Sequence, residues 1–251
     1  MDLIFGSSRG HNLSELLHAS HPSPESVAIY AASSAKLKEL LQEAIDQLDR
    51  ADDPTNCHIY FVAGLCDITR RDEDAWDPAC GAYQEITMPE GSDECARRMC
   101  ELIDFISIRI LYRGAKPCFS TIPPSSLEKY NLMRLKKRKT SYLLHSLEYA
   151  DMQDNLMRAI LHVNNHISKV NGENGMATPD LAGSVVETRA GKAPRAHFKR
   201  LYDGVHPTDK TRRKWAKRLQ KAISINRRYK NPVNFDEPVS SVSDLEDAPD
   251  Y

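Results

Sequence analysis

Close to the end of the chain, Asp203-Gly204-Val205-His206-Pro207 sets a carboxylate three residues ahead of a histidine. Close to its start, Gly6-Ser7-Ser8 follows the apolar opening Leu3-Ile4-Phe5. Together these residue types are the parts of a nucleophilic triad: a serine needs a base to take its proton, and the base needs a carboxylate to fix its tautomer and stabilise the imidazolium. Three residues of separation let Asp203 and His206 project from the same side of one turn. The serine must then arrive from elsewhere, and the first strand of an α/β sheet ends in the right place if the carboxyl edge of the sheet carries the site.

The elements between them read as such a sheet. Asp2-Leu3-Ile4-Phe5 is the first strand and Ser26-Val27-Ala28-Ile29-Tyr30 the second. Leu37, Leu40, Leu41, Ala44, Ile45 and Leu48 then recur at helical spacing, with Ser33 or Ser34 as the N-cap, until Asp52-Asp53-Pro54 stops the helix. Cys57 to Ala63 is a nearly continuous apolar run, as a central parallel strand buried on both faces requires. From Arg70 to Gly91 periodicity lapses, which predicts a long excursion at the site edge, a lid or substrate wall. Ser92, Asp93 and Glu94 open a helix lined by Met99, Ile103, Ile106 and Ile110 that ends at Gly114. Cys118 to Ile122 is a fourth strand, closed by Pro123-Pro124. A long helix around Asp151 to Val170 ends at Asn171-Gly172, and Leu181 to Val186 supplies a weaker fifth strand. After Pro207, Thr208 or Asp209 caps a last helix with Trp215, Ala216, Leu219, Ala222 and Ile223 on its buried side. The βαβ order predicts a three-layer α/β/α sandwich around a mostly parallel sheet of about five strands.

These blocks resemble the SGNH (GDSL-like) hydrolase family, in which a nucleophilic serine follows the first strand and a D-x-x-H-P segment precedes the last helix. Ile59-Tyr60-Phe61-Val62-Ala63-Gly64-Leu65-Cys66-Asp67 is similar to that family's third block, a buried strand running into G-x-N-D. Thr121-Ile122-Pro123-Pro124 followed by Asn131 is similar to compact chains of this family from eukaryotic mobile elements and viruses. The resemblance spans residues 2 to 225 and implies the flavodoxin-like SGNH fold, a serine esterase or acyl hydrolase activity through a covalent acyl-enzyme, and catalytic Ser8, Asp203 and His206. It places the oxyanion hole at the backbone of Ser8, the backbone of Ala31 or Ala32, and the position of Cys66. Two departures follow. Cys66 stands where the family has an asparagine, and an S–H is a poor replacement for an amide donor. An alanine stands where the family's second block has glycine, which keeps the N–H. A reading from a different class is therefore carried beside the first: an impaired SGNH-like module that binds nucleic acid or protein in a mobile element or virus.

With 251 residues and no internal repeat, the chain predicts one large domain over 1–231. Residues 232–251 turn to Pro, Ser, Asp and Glu with few large apolar groups, the composition of a disordered acidic tail. A net charge of −1 argues against a wholly basic nucleic-acid binder but hides segregation: the last helix bears Lys210, Arg212, Arg213, Lys214, Lys217, Arg218 and Lys221. Together with Arg134-Leu135-Lys136-Lys137-Arg138-Lys139, that helix is a candidate for weak phosphate-backbone contact, weighed against an ordinary solvated face. The first strand begins directly after Met1 and no apolar run is long enough to span a membrane, so an intracellular, cytoplasmic protein is expected. Cys57, Cys66, Cys80, Cys95, Cys100 and Cys118 form no C-x-x-C pair and read as reduced thiols. Asp67 reads as an N-cap or as an orienter of the first loop. Arg9 and His11 read as loop side chains, and His162 and His166 as helix-surface histidines. No metal or organic cofactor is implied; the expected partner is a small-molecule ester or acylated substrate.

Overall fold

A computed structural model describes residues 1–7, 13, 16–17, 27–31, 35–71, 76–77, 82–83, 86–87, 91–138, 146–187 and 195–228. For 27, the strand residues between 70 and 87, 134–138 and 146–149, the backbone alone is described. The expected acidic tail therefore lies outside the described residues, as do Ser8, Arg9, His11, Ala32, Ser33, Ser34, Cys80 and Lys139.

Strand β1 (Asp2–Gly6) pairs in parallel with β2 (Val27–Ala31) on one side and β3 (His58–Val62) on the other. Helix α1 (Leu37–Asp49) connects β2 to β3 and buries all six of its predicted apolar residues. After β3 come a one-turn helix α2 (Leu65–Ile68) and an excursion of four two-residue strands. Of these, β4 (Arg70–Arg71) pairs antiparallel with β7 (Ile86–Thr87), and β5 (Trp76–Asp77) with β6 (Ala82–Tyr83). Helix α3 (Ser92–Leu111) leads to β8 (Lys116–Phe119), which adds in parallel to β3. Helices α4 (Leu127–Arg138) and α5 (Ser146–Glu173) follow, then the short hairpin of β9 (Val186–Glu187) with β10 (Arg195–Ala196), and finally α6 (Asp209–Arg228). The main sheet has the order β2-β1-β3-β8, all parallel. Side-chain alternation along the strands sends Leu3, Phe5, Ile59, Phe61 and Phe119 into a core with α1, α3 and α5, while Ile4, Tyr60, Val62 and Cys118 meet Trp215, Leu219 and Ile223 of α6. This is the three-layer α/β/α arrangement that the βαβ order predicts.

The segment read as a fifth strand is different. Ala182–Ser184 forms a 3-10 turn, and among the described residues Val186–Glu187 pairs with β10 and not with the main sheet. The outer edge of β8 is closed by side chains instead. Asn171 of α5 takes the Phe119 N–H on its Oδ1 at 2.9 Å and donates Nδ2 to the Phe119 carbonyl at 2.7 Å. Seven residues earlier on the same helix, Asn164 does the same for Ile122, at 2.6 and 2.9 Å. Two helix turns thus present two amides that satisfy the ladder positions a further strand would fill. Asn171-Gly172 is accordingly not the end of α5. The chain turns at Gly175, whose φ of 67° is left-handed, and the Met176 N–H returns to the Asn171 carbonyl at 2.7 Å.

The amino edge of the sheet is tied by charge. Asp2, 1% exposed, accepts from His58 Nδ1 at 3.0 Å and from Arg227 at 2.5 Å, joining β1 and β3 to the last turn of α6. At the opposite edge, Tyr30, Phe5, Phe61 and Phe119 are register partners on four adjacent strands. Their rings follow one another across the sheet with centroids 5.0 to 5.9 Å apart, Phe5–Tyr30 and Phe61–Phe119 stacked and Phe5–Phe61 tilted by 31°. That row lies one residue before the ends of β1, β2 and β3 and at the end of β8.

Candidate functional site

The strand ends define where a site can form. Gly6, the last residue of β1, lies in register between Ala31 of β2 and Val62 of β3, and the Ser7 N–H donates to the Val62 carbonyl at 3.3 Å. Strands of one sheet run about 4.8 Å apart, so the segments leaving β1, β2 and β3 emerge side by side. Those exits lead to Ser8, to Ala31-Ala32 and to Gly64-Leu65-Cys66. Ser8 and Ala32 themselves lie outside the described residues. Gly64 has a φ of 115°, and a Cβ there would stand 2.6 Å from Ile122 Cδ1, so only glycine allows β3 to turn this close to the exit of β8. The turn delivers Cys66 to the first turn of α2, half-buried.

The Asp203–His206 loop is held beside the exit of β8. The Ser126 N–H donates to the Gly204 carbonyl at 2.8 Å, and Lys129 Nζ, one turn into α4, donates to the carbonyls of Phe198 and Leu201 at 3.1 and 2.6 Å. Gly204 has a φ of 92°, and a Cβ would meet the Ser126 carbonyl oxygen at 2.6 Å. Val205 buries its side chain in the core with Ile122 and Leu127. Leu201 bridges to Pro207, and the Tyr202 N–H donates to the His206 carbonyl at 2.9 Å.

Within that loop, Asp203 Oδ2 lies 2.7 Å from His206 Nδ1, while Oδ1 accepts the backbone N–H groups of Val205 at 3.0 Å and His206 at 2.7 Å. Burial pushes the Asp203 carboxyl up, but the His206 ring and these two N–H groups outweigh it and hold it down at about 2. An ionised carboxylate only accepts, so Nδ1 carries the proton in this pair. The ring stacks on Tyr202, centroids 5.7 Å apart at 23°, with Tyr130 at 6.4 Å.

Asp67 serves as a helix cap; most of the first loop, which it was also expected to orient, lies outside the described residues. Both of its oxygens accept the Leu37 N–H, at 3.1 and 3.2 Å, capping α1 from thirty residues away. The local serine cap expected for α1 lies outside the described residues; what is described is a Lys36 N–H bound to Glu39 Oε2 at 3.0 Å and this long-range carboxylate. Burial drives the Asp67 carboxyl up to about 7, against the lowering effect of the Leu37 N–H. Tyr130, Lys129 and Ser126 were not recognisable from the sequence, because each reaches the loop through tertiary contact rather than spacing, and Tyr202, which adjoins Asp203, was not singled out.

No protein-family model matches the chain, and neither does any curated protein sequence. Solved structures do. A GDSL-like lipase from Bacteroides thetaiotaomicron superimposes with a TM-score of 0.54 at 12% identity, over 90% of this chain and 87% of that one. A member of the lipolytic G-D-S-L family from Veillonella parvula gives 0.54 at 12% identity, over 89% and 97%. The chain has the SGNH-hydrolase fold. An acetyl xylan esterase, AlAXEase, shares this SGNH fold at a TM-score of 0.50 and 17% identity, over 89% of this chain and 100% of that one. The likeness to SGNH chains of mobile elements and viruses rests on the sequence motifs alone.

Among the described residues no group of three or more His, Cys, Asp and Glu side chains is placed to hold a metal, and no helix is long and apolar enough to cross a membrane. None of the five described cysteines is joined in a disulfide. His166 Nε2 pairs with Asp104 at 2.7 Å on the surface between α5 and α3.

Proposed function

We propose that this chain is a serine hydrolase of carboxylic esters working through a covalent acyl-enzyme. The observation that carries the reading is the Asp203–His206 pair at 2.7 Å, on a loop anchored at the carboxyl edge of the sheet from which Ser7-Ser8 departs. Ser8 Oγ attacks the ester carbonyl while His206 Nε2 takes its proton; collapse of the tetrahedral intermediate expels the alcohol, which leaves with that proton. Water then attacks the acyl-enzyme, again giving a proton to Nε2, and the carboxylic acid departs as Ser8 is reprotonated. Asp203 holds the Nδ1 proton throughout, and Tyr202 limits rotation of the ring. The oxyanion is met by the backbone N–H of Ser8 and one from Ala31 or Ala32. The solved lipases and esterases sharing the fold agree with this chemistry, with a small ester or acylated molecule as substrate.

Cys66 keeps the second reading in play, a weakened site retained for binding. Loss of one side-chain oxyanion donor costs on the order of 10²–10³ in turnover, which leaves a slow enzyme rather than none. Labelling with a fluorophosphonate probe separates the two. The wild-type chain is expected to be labelled, and Ser8→Ala and His206→Ala to lose labelling and aryl-ester hydrolysis together. An unlabelled, folded wild type would leave the binding module as the surviving reading.

A further inference from the structure

Helix α6 shows two faces of opposite character. Trp215, Ala216, Leu219, Ala222 and Ile223 are buried against the sheet. Lys210, Arg213, Lys214, Lys217, Lys221 and Arg228 are exposed. At 3.6 residues per turn these six fall within about 100° of arc and run about 27 Å along the helix. Among the described residues, three other cations of this helix hold carboxylates: Arg212 holds Asp209, Arg218 holds Asp180 and Arg227 holds Asp2. The stripe is left as cation beside cation at i, i+3 and i, i+4, an arrangement that repels itself.

We propose that this face is the docking surface for the chain's own acidic segment, residues 232–251. That segment contains Asp236, Glu237, Asp244, Glu246, Asp247 and Asp250 and neither Lys nor Arg. The other 231 residues hold 34 cations against 29 acids, an excess that the six acids of this stretch offset. Three residues separate it from the end of α6 at Arg228. Twenty residues span up to roughly 65 Å when extended, and α6 is about 30 Å long, so the segment reaches Lys210 with chain to spare. Attachment that close sets an effective concentration on the order of millimolar, enough for a weak polyelectrolyte contact to be populated. The stripe is thereby neutralised internally and withheld from other polyanions. Because it lies on α6 and not at the strand ends, this inference stands apart from the esterase reading.

The full-length chain tests it by zero-length carbodiimide cross-linking, with isotopically mixed protein and mass-spectrometric mapping. The expected result is amide links within one chain from the tail acids to Lys210, Lys214, Lys217 and Lys221, fading at roughly 0.5 M salt. Links between chains, or spread equally to lysines off the stripe such as Lys38 and Lys116, overturn the proposal. A second arm keeps the chain full length and converts its six tail acids: Asp236→Asn, Glu237→Gln, Asp244→Asn, Glu246→Gln, Asp247→Asn and Asp250→Asn. This variant should bind a short labelled DNA duplex roughly tenfold tighter than wild type at low salt. The gain should vanish when Lys214, Lys217 and Lys221 are also changed to Ala. Equal DNA affinity of wild type and the amide variant would mean that the tail does not cover the stripe.

Discussion

Asp67→Asn separates two opposing electrostatic effects in one side chain. The Asp67 carboxylate caps α1, where the positive end of the helix dipole favours its charge by up to about 1 kcal/mol. It is also largely withdrawn from water, and burial carries it from 3.8 to about 7. At about 1.36 kcal/mol per pKa unit, ionising it in the folded chain costs up to about 4 kcal/mol, so desolvation wins. The sign follows. Between pH 4 and 7 the folded chain keeps a proton that the unfolded chain has released, and stability therefore falls as pH rises through this window and stays low above it. Asparagine leaves an amide oxygen for the Leu37 N–H but has no charge to desolvate. Urea unfolding of both proteins from pH 4 to 9 is the assay. At pH 4 the two should agree within about 1 kcal/mol. At pH 8 the Asn variant should be the more stable by about 2–4 kcal/mol, the range left after the dipole's share is subtracted. A wild type that gains on the Asn variant as pH rises would show that the dipole and the nearby Lys36 and Arg98 outweigh burial, and would refute the reasoning.

Three further outcomes are expected. Cys66→Asn should raise the rate of ester hydrolysis by up to about 10²–10³ while Cys66→Ala does not, measured with folding checked for both; equal rates in all three proteins would mean that residue 66 does not face the oxyanion. Asn171→Ala strands the N–H and carbonyl of Phe119 at about 1–3 kcal/mol each, so chemical denaturation should show a loss of roughly 2–5 kcal/mol, whereas a loss below 1 would mean that water or another group closes the strand edge. Gly204→Ala forces a Cβ against the Ser126 carbonyl and should cost about 1–3 kcal/mol of stability together with ester turnover, the latter read from kcat with KM little changed.

Elements defined by their own periodicity were legible in the sequence. The six apolar positions of α1 and the apolar run of β3 each carry their burial pattern locally, and the structure places them as that pattern requires. The fifth strand was not, because Leu181 and Val185 are apolar for a reason that strand and turn share: both pack against the α6 side of the sheet. Nothing local distinguishes the two. What decides the matter is a pair of asparagines seven apart on α5, and polar residues on a long helix read as its solvent face until the strand edge they serve is known. The cap of α1 is the same kind of case, since a carboxylate thirty residues downstream leaves no trace in the sequence around Leu37.

The candidate site divides along the same line. Asp203 and His206 are three residues apart, so one turn is enough to join them, and their pairing could be read directly. Where that turn stands relative to the strand ends is decided by contacts with no sequence period: Gly204 against Ser126, Lys129 reaching two carbonyls, Val205 in the core. Each ties the loop to the chain leaving β8, and Gly64 against Ile122 ties the exit of β3 to that same segment. Gly6, Ala31 and Val62 lie in one register row, so the pairing of β1 with its two neighbours positions the exits that lead to Ser8, Ala32 and Cys66. The proposed nucleophile, base and oxyanion donors would thus be drawn from strand exits and one anchored loop. Single substitutions at the two glycines that permit the close approaches should therefore disturb chemistry more than their small side chains suggest.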